Sequence, residues 1–229
     1  MPTSLRLLKS PTVSNKIVEG GQRVTGTGQV QRFVYKELKA GDLRKFEAAS
    51  ADSGTGGGAR DQRFSPGGTF APVFSKIFPS ATPRQRTEWG GKKKVSNVHA
   101  ADVFVHIDDT AIDRAATELE VRSVDGEDYV VMRMEYWPPT KARPTEVRLG
   151  RVAALRLTPP TNEGRVFLLV IQSDAQVSPR LAFITEQAIQ NNLWNAEVTD
   201  FFRPILAQPP GTNATMGFKD FEAKTSFVK

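Results

Sequence analysis

The chain has 229 residues, a formal net charge of +6 and an ordinary apolar fraction, which predict one large domain, or one domain with extensions, around a sizeable core. It contains no cysteine, which excludes disulfides and thiolate metal sites and fits a cytoplasmic protein. No apolar run is long enough to span a membrane, and the first residues lack the apolar stretch of a secretion signal.

Charges of opposite sign are sorted along the chain. Basic residues dominate residues 84–94 and 133–156, whereas acidic residues dominate residues 102–128. This sorting predicts a surface that meets a polyanion on one side and is repelled by it on another. The solvated faces of a basic protein are the alternative explanation.

A strand is predicted at residues 30–35, after a weakly patterned N-terminal arm of residues 1–29. A short amphipathic turn at residues 38–46 leads into a glycine-rich loop, residues 50–64. The glycines permit positive φ angles and leave the backbone open to close approach by a ligand. The spacing fits neither a phosphate-binding P-loop nor the dinucleotide-binding fingerprint.

Two arginines, Arg60 and Arg63, directly follow the glycines of this loop. A guanidinium is a planar donor that suits a phosphate oxygen or the edge of a guanine. The loop therefore predicts a contact with nucleic acid. A flexible surface loop with two incidental arginines is the alternative.

Residues 69–79 place apolar side chains at helical spacing and end at a proline, which predicts a short helix that plugs the core. Residues 84–97 are polar and basic and predict a loop or ribbon; three of their lysines are Lys92, Lys93 and Lys94. A strand at residues 101–107 and a hairpin around Asp125 and Gly126 follow. His99 and His106 have no further ligands at metal spacing.

Residues 136–151 contain three prolines, which exclude a helix and predict a stiff, extended loop carrying Lys141 and Arg143. The strand that follows carries Arg148 and Arg151. Residues 152–157 continue with alternating apolar residues, and residues 165–172 form the most apolar strand in the chain. Strands at this spacing are typical of a barrel.

The C-terminal part of the chain is predicted to have two different segments. Apolar residues recur at helical intervals within residues 179–206, which predicts helices that cover the barrel. Residues 207–229 are predicted to form a polar tail.

Two sets of residues resemble the N-terminal effector domain of EcoRII-type restriction endonucleases, in the same order along the chain. The first set comprises residues 50–57, Pro66 and residues 74–80. The second set comprises residues 136–151, with Thr140, Arg148, Gly150 and Arg151, and then residues 162–164, which lead into residues 166–171. The resemblance covers residues 45–175 at scattered positions.

The resemblance implies an α+β fold: a mainly antiparallel β pseudobarrel at residues 30–178, with a short plug helix and C-terminal covering helices. Such domains are related in fold to plant transcription-factor DNA-binding domains and grip a duplex from the major groove with two arms. By position, the arms would be residues 54–63 and 137–148. The basic insert at residues 84–97 and the acidic segment at residues 102–128 depart from the family, so its sequence preference does not carry over.

Together, the residues and the resemblance predict a double-stranded DNA-binding module that is not an enzyme and needs no cofactor, metal or membrane. It would be a recognition subunit of a bacterial restriction or phage-defence system, with a nuclease or another defence subunit as its partner. Arg60 and Arg143 are predicted to read base edges, and Arg148 and Arg151 to hold phosphates. The full set of predicted DNA contacts is Arg60, Arg63, Lys92, Lys93, Lys94, Lys141, Arg143, Arg148 and Arg151.

A metal-dependent DNA endonuclease is the alternative function. Such an enzyme needs carboxylates and a lysine around a divalent ion, and the acidic-x-Lys sequence near the C-terminus is Glu222-Ala223-Lys224, with no convincing strand or aspartate before it. Binding of RNA or single strands would require aromatic residues exposed on a sheet face, whereas the aromatics here fall mostly at core spacing.

Overall fold

The computed structural model describes residues 17–18, 22–23, 29–46, 61–64, 70, 74–78, 81–88, 94–105, 119–124, 127–141, 144–150, 152–155, 159–173, 179–210 and 216–228. Over these residues the protein is mainly β. A mixed, largely antiparallel path of nine strands curls into a half-barrel, accompanied by a few short helices. This architecture confirms the fold class predicted from the sequence.

The described strands are β1 (Ile17–Val18), β2 (Gln22–Arg23), β3 (Val30–Glu37), β4 (Gln62–Phe64), β5 (Thr82–Glu88), β6 (Lys94–Val105), β7 (Glu120–Val124), β8 (Glu127–Trp137), β9 (Glu146–Leu149), β10 (Val166–Ser173), β11 (Arg180–Thr185), β12 (Met216–Asp220) and β13 (Thr225–Val228). The described α-helices are α1 (Ala40–Leu43), α2 (Phe74–Ile77), α3 (Glu186–Gln190) and α4 (Ala196–Leu206). Short 3-10 turns occupy Arg44–Phe46, Val152–Leu155 and Thr161–Glu163.

The strands of the main sheet follow the order β13-β12-β3-β10-β11-β6-β8-β9-β4. Two further strands branch from this path, because β5 pairs with β6 and β7 pairs with β8. The parallel pair is β11 with β6, in register at Arg180 and Phe104, and the other described pairs are antiparallel. β1 and β2 pair with each other apart from this sheet.

The inner face of the sheet holds the largest of the three hydrophobic clusters that the described residues form. Alternate residues of β10, Val166, Leu168 and Val170, point into it, and so do Leu181 and Phe183 of β11. Phe74 of α2 and Phe78, just after it, complete this side, so the short helix plugs the core as predicted.

The outer face of β3, β10 and β11 is buried too, because α3 and α4 cover it. Phe167, Leu169 and Ile171 of β10 point outward into a second cluster, to which the helices contribute Ala188, Ile189, Val198, Phe202 and Ile205. The ring of Phe202 lies 5.1 Å from that of Tyr35 and 4.9 Å from that of Phe167. Burial on both faces explains the unbroken apolar run of β10, residues 166–171.

Arg165 fastens α4 to the sheet. Its Nε and Nη2 atoms donate to the two carboxylate oxygens of Glu37 on β3, each at 2.9 Å. Its Nη1 atom donates to the carbonyl oxygens of Ile205 and Gln208, at 3.1 and 3.0 Å. One guanidinium therefore satisfies carbonyls at the C-terminal end of α4 and complements the negative end of the helix dipole.

Several predicted elements are confirmed. The strand predicted at residues 30–35 is β3, and the predicted hairpin around residues 125 and 126 is formed by β7 and β8. The polar residues 84–97 contribute to a β5–β6 ribbon, which is one of the two forms predicted for them. Among the described residues, none of the helices has both the length and the apolar character needed to span a bilayer.

Three secondary-structure predictions for the C-terminal part of the chain are wrong. Residues 152–157 were predicted to continue a strand, but Val152–Leu155 is a 3-10 turn whose two ends reach the core. The helical prediction for residues 179–206 holds only for α3 and α4, because Arg180–Thr185 is strand β11. The polar tail predicted at residues 207–229 contains the hairpin β12–β13, which extends the sheet beyond β3.

We expect replacement of Gly217 by alanine to destabilise the protein. A Cβ atom at Gly217 would collide with the carbonyl oxygen of Phe227 and would lie 2.9 Å from the ring of Tyr35. The strands β12 and β13 would have to shift, at a cost of about 1–3 kcal/mol in the free energy of unfolding, measured with urea.

The matched control is Gly41→Ala on α1, where a Cβ atom meets nothing within 4 Å. Alanine suits a helix better than glycine, so this variant should be as stable as the unchanged protein or slightly more stable. Equal unfolding midpoints for the two variants would contradict the close packing described at Gly217.

Candidate nucleic-acid interface

The outer face of the sheet differs between its two halves. Helices α3 and α4 cover β3, β10 and β11, whereas β4 to β9 carry partly exposed charged residues on this face, beside buried Glu135 and Trp137 and a small third cluster of Phe104, Tyr129 and Val131. We call this second half the open face; the residues of it that matter below are Asp61, Arg63, Arg84, Asp102, Glu120, Arg122, Arg133, Glu135, Trp137, Glu146 and Arg148. The opposite sides of the same strands carry core residues such as Met134, Val147 and Leu149.

Arg63 and Arg148 are direct partners in the register of β4 and β9. Two like charges opposite each other would repel. Glu146 contacts both of them, with Arg63 Nη1 at 3.5 Å from Glu146 Oε1 and Arg148 in closer contact. Asp61 adds a second acid, 3.8 Å from Arg148 Nη1. The two predicted contacts are therefore brought together and are balanced by acids.

The two arginines differ in their availability to a ligand. The guanidinium of Arg148 lies 4.9 Å from the ring centre of Trp137, and its side chain is 15% exposed. Trp137 is held in turn by donating its indole N–H to Glu135 at 3.0 Å. The Arg63 side chain is 46% exposed. Arg148 is thus committed to protein partners, and Arg63 faces solvent.

The predicted arms leave from opposite ends of the β4–β9 ladder. Residue 60 precedes Asp61, which lies next to β4 on the side where Gln62 pairs with Leu149. The proline-containing segment enters β9 at Glu146, at the other end. Four residue steps at about 3.3 Å each separate these two ends by roughly 13 Å along the strands. Lys141 lies exposed in the second arm.

A buried polar network supports β4 from the inner side. Lys36 Nζ donates to Asp42 Oδ1 at 2.6 Å and to Gln62 Oε1 at 3.3 Å. Gln62 Nε2 donates to the carbonyl oxygen of Asp42 at 2.8 Å. Burial lowers the pKa of Lys36, although Asp42 opposes that shift. This network ties α1 to the strand that presents Arg63.

A second group of charges lies on β5, β6, β7 and β8. Asp102 accepts from Arg122 Nη1 at 3.0 Å, and it lies 3.5 Å from Arg84 Nη2 and 3.8 Å from Arg133 Nε. Arg122 also donates to Glu120 at 2.6 Å, and this hydrogen bond lowers the pKa of the Glu120 carboxyl. The segment predicted to be repelled by a polyanion thus has some of its acids paired with arginines.

The side chains of the remaining predicted DNA-binding residues are not among those that the structure describes. Arg60, Lys92, Lys93, Arg143 and Arg151 lie outside the described residues, and Lys94 opens β6 without a described side chain. On the open face, the arginines that sequence reasoning did not single out are Arg84, Arg122 and Arg133. For Arg133, the alternation with Glu135 and Trp137 along β8 was the signal that could have placed it on this face.

The carboxylate considered for a nuclease lies at the other edge of the sheet. Glu222 is in the turn between β12 and β13, where it accepts from Gln31 at 2.9 Å and pairs with Arg32. Within the part of the chain that the structure describes, no three His, Asp or Glu residues are grouped closely enough to hold a metal ion. Contrary to the sequence prediction, strand β12 and Asp220 do precede Glu222, and the Asp220 carboxylate lies 3.7 Å from Arg32 Nε.

We expect Arg148→Lys to destabilise the protein by about 1 kcal/mol, because lysine loses the planar stack on Trp137 and the geometry of two ion pairs. Arg63→Lys, one strand away and largely solvated, should change the free energy of unfolding little. Urea unfolding of both variants measures the difference. If Arg63→Lys were the more damaging of the two, the division of roles between these arginines would be incorrect.

We expect Asp42→Asn to lower stability by about 1–3 kcal/mol at pH 7, because it removes a charged hydrogen-bond partner from buried Lys36. Burial alone would raise the pKa of Asp42, but the hydrogen bonds and charges of Lys36 and Lys45 outweigh it and hold the pKa below its ordinary value of 3.8. The contribution of Asp42 is thus complete above pH 3.8 and is lost as the pH falls further.

The stability difference between this variant and the unchanged protein should therefore shrink below pH 3.8, measured as urea midpoints across a pH series. Asp200→Asn on α4 is the matched control, because that side chain is 69% exposed. A difference that stays constant with pH would show that the charge of Asp42 does not matter.

Comparison with protein-family models, with curated proteins and with solved structures finds no match for this chain. The resemblance to the effector domain of EcoRII-type endonucleases therefore stays a prediction from the sequence. The structure agrees with it at the level of a pseudobarrel-like half-barrel.

Proposed function

We propose that the chain is a non-enzymatic, double-stranded DNA-binding module that recognises sequence through two arms, and that it is a recognition subunit of a bacterial restriction or phage-defence system. One observation carries the proposal. The register of β4 with β9 joins two basic segments that are far apart in the sequence and sets exposed Arg63 beside the largely covered Arg148 on one face. A surface of this kind is expected where a protein meets a polyanion.

The spacing of the arms supports a duplex as the ligand. The ends of the β4–β9 ladder are roughly 13 Å apart along the strands, by the rise of about 3.3 Å per residue. The major groove of B-DNA is about 12 Å wide. Arms that leave the two ends of this ladder are suitably placed to follow the two walls of one groove.

The ion pairs of Arg63 are compatible with exchange for a phosphate. Its contact with Glu146 is 3.5 Å long and lies at the surface, and such pairs contribute only about 0–1 kcal/mol to stability. Glu146 would retain Arg148 as its partner when Arg63 moves to the DNA. In the free protein, Glu146 holds Arg63 near its working position and reduces its repulsion from Arg148.

Base recognition is assigned to the arms themselves. Arg60 and Arg143 are near the middle of their segments, and an arginine that donates two hydrogen bonds to guanine contributes about 1–3 kcal/mol of discrimination. Arg63, by contrast, belongs to a strand, which holds its backbone back from the groove floor. Strand residues therefore supply affinity, and arm residues supply sequence preference.

We expect Arg63→Gln to weaken binding to preferred and random duplexes alike. Each lost phosphate contact should reduce the magnitude of the negative slope of log affinity against log salt by about 0.9. The preferred duplex is first selected from a random library, and binding is then followed by fluorescence anisotropy over a series of salt concentrations.

Arg203→Gln is the matched control, because Arg203 is an equally charged side chain that is 56% exposed on α4, on the helix-covered half of the molecule. It should leave the slope unchanged. Equal effects of the two variants would contradict the assignment of binding to the open face, and absence of duplex binding by the unchanged protein would overturn the proposed function. Magnesium-dependent cleavage of the selected duplex would overturn its non-enzymatic part.

A further inference from the structure

We propose that Arg84, Arg122 and Arg133 form a third contact to the DNA backbone, outside both arms, that binds one or two phosphodiester groups. We call these residues the arginine triad. This inference rests on the proposed function, since it names a further part of the ligand that the same face would bind. None of the three residues belongs to the contacts predicted from the sequence.

Three strands bring the triad together around a single carboxylate. Arg84 comes from β5, Arg122 from β7 and Arg133 from β8, and all three approach Asp102 on β6, the strand between β5 and β8. The three side chains are 35%, 41% and 37% exposed, whereas Asp102 is 15% exposed. The carboxylate therefore lies beneath the guanidiniums, which face solvent.

The contacts to Asp102 leave hydrogen-bond donors for another anion. Arg122 makes a normal hydrogen bond to it at 3.0 Å. Arg84, at 3.5 Å, is at the long limit of a hydrogen bond, and Arg133, at 3.8 Å, is beyond that limit. Each guanidinium has five N–H donors, more than the carboxylates of Asp102 and Glu120 accept from the triad.

The balance of charge at this point also favours an anion. Three guanidiniums face two carboxylates, those of Asp102 and Glu120, and the carboxylate of Glu120 is engaged by Arg122. The additional positive charge is held close to others of the same sign, which a bound phosphate would relieve.

The triad lies on the path that a duplex held by the arms would follow. Arg133 is two residues from Glu135 on β8, and Glu135 is the register partner of Arg148. One strand spacing of about 4.8 Å and a step of about 6.6 Å along the strand put the backbones of Arg133 and Arg148 roughly 8 Å apart on the same face. A DNA backbone that contacts Arg63 therefore has the triad within reach.

The test uses the double variant Arg84→Gln/Arg133→Gln, which keeps the hydrogen bond between Arg122 and Asp102 intact. We expect the magnitude of the negative slope of log affinity against log salt to decrease by about 0.9 if the triad binds one phosphate and by about 1.8 if it binds two. The preference for the selected duplex over random DNA should be retained, because phosphate contacts carry no sequence information. A slope equal to that of the unchanged protein would overturn the proposal.

The charge-preserving variant Arg84→Lys/Arg133→Lys separates lost binding from lost structure. Lysine keeps the charge that displaces counterions, so its slope should match that of the unchanged protein. If the glutamine variant does not fold, the single variant Arg133→Gln replaces it, with an expected decrease of about 0.9 in the magnitude of the slope. A lysine variant as weak as the glutamine variant would assign the triad to structure alone and overturn the proposal.

A second measurement distinguishes failure of the triad from failure of the proposed function. Titration with inorganic pyrophosphate should show binding to the unchanged protein and loss of binding in the glutamine variant. Pyrophosphate binding without duplex binding would keep an anion site at the triad and reject DNA as its ligand. Duplex binding without any effect of the triad variants would keep the proposed function and reject the triad.

Discussion

Burial of β3, β10 and β11 on both faces is the constraint on which the rest of this structure depends. Their inner residues need the barrel core, and their outer residues need α3 and α4, so the helices can lie only over this half of the sheet. Arg165 fixes the end of α4 to Glu37 of β3. The other half of the outer face has no such helical cover among the described residues and carries charged residues around a small apolar cluster, so the candidate interface is a consequence of where the helices lie.

Acids hold the arginines of the open face in their positions before any ligand arrives. Glu146 lies between Arg63 and Arg148, and Asp102 lies beneath Arg84, Arg122 and Arg133. A flexible arginine loses side-chain entropy when it is ordered on binding, and an existing ion pair has already met part of that cost. Alternation of charges therefore does not argue against a polyanionic ligand, provided that the acids lie deeper than the guanidiniums, as Asp102 does.

The sequence predicted those parts of the fold that depend on local patterns. β10 was predicted because its apolar run is bounded by turn residues, and α2 because its aromatics recur at helical spacing and end at a proline. β11 was missed because its four central residues, 181–184, are all apolar, and so short an apolar run fits a strand or a helix equally well. The pairing of Arg63 with Arg148 could not be predicted, since it depends on the register of strands far apart in the sequence.

The short length of β4 has a consequence for how such an interface would work. β4 has three residues and closes the described order of strands, paired with β9, while Lys36 and Gln62 hold it from within. So short an edge strand can detach in a local fluctuation that leaves β10 and β11 intact, because local opening needs much less free energy than global unfolding. A ligand that contacts both arms would suppress this detachment, so that part of its binding free energy would appear as slower hydrogen exchange at the β4 amides. The affinity for the ligand and the exchange rate of the β4 amides would then both depend on one equilibrium, that between attached and detached β4.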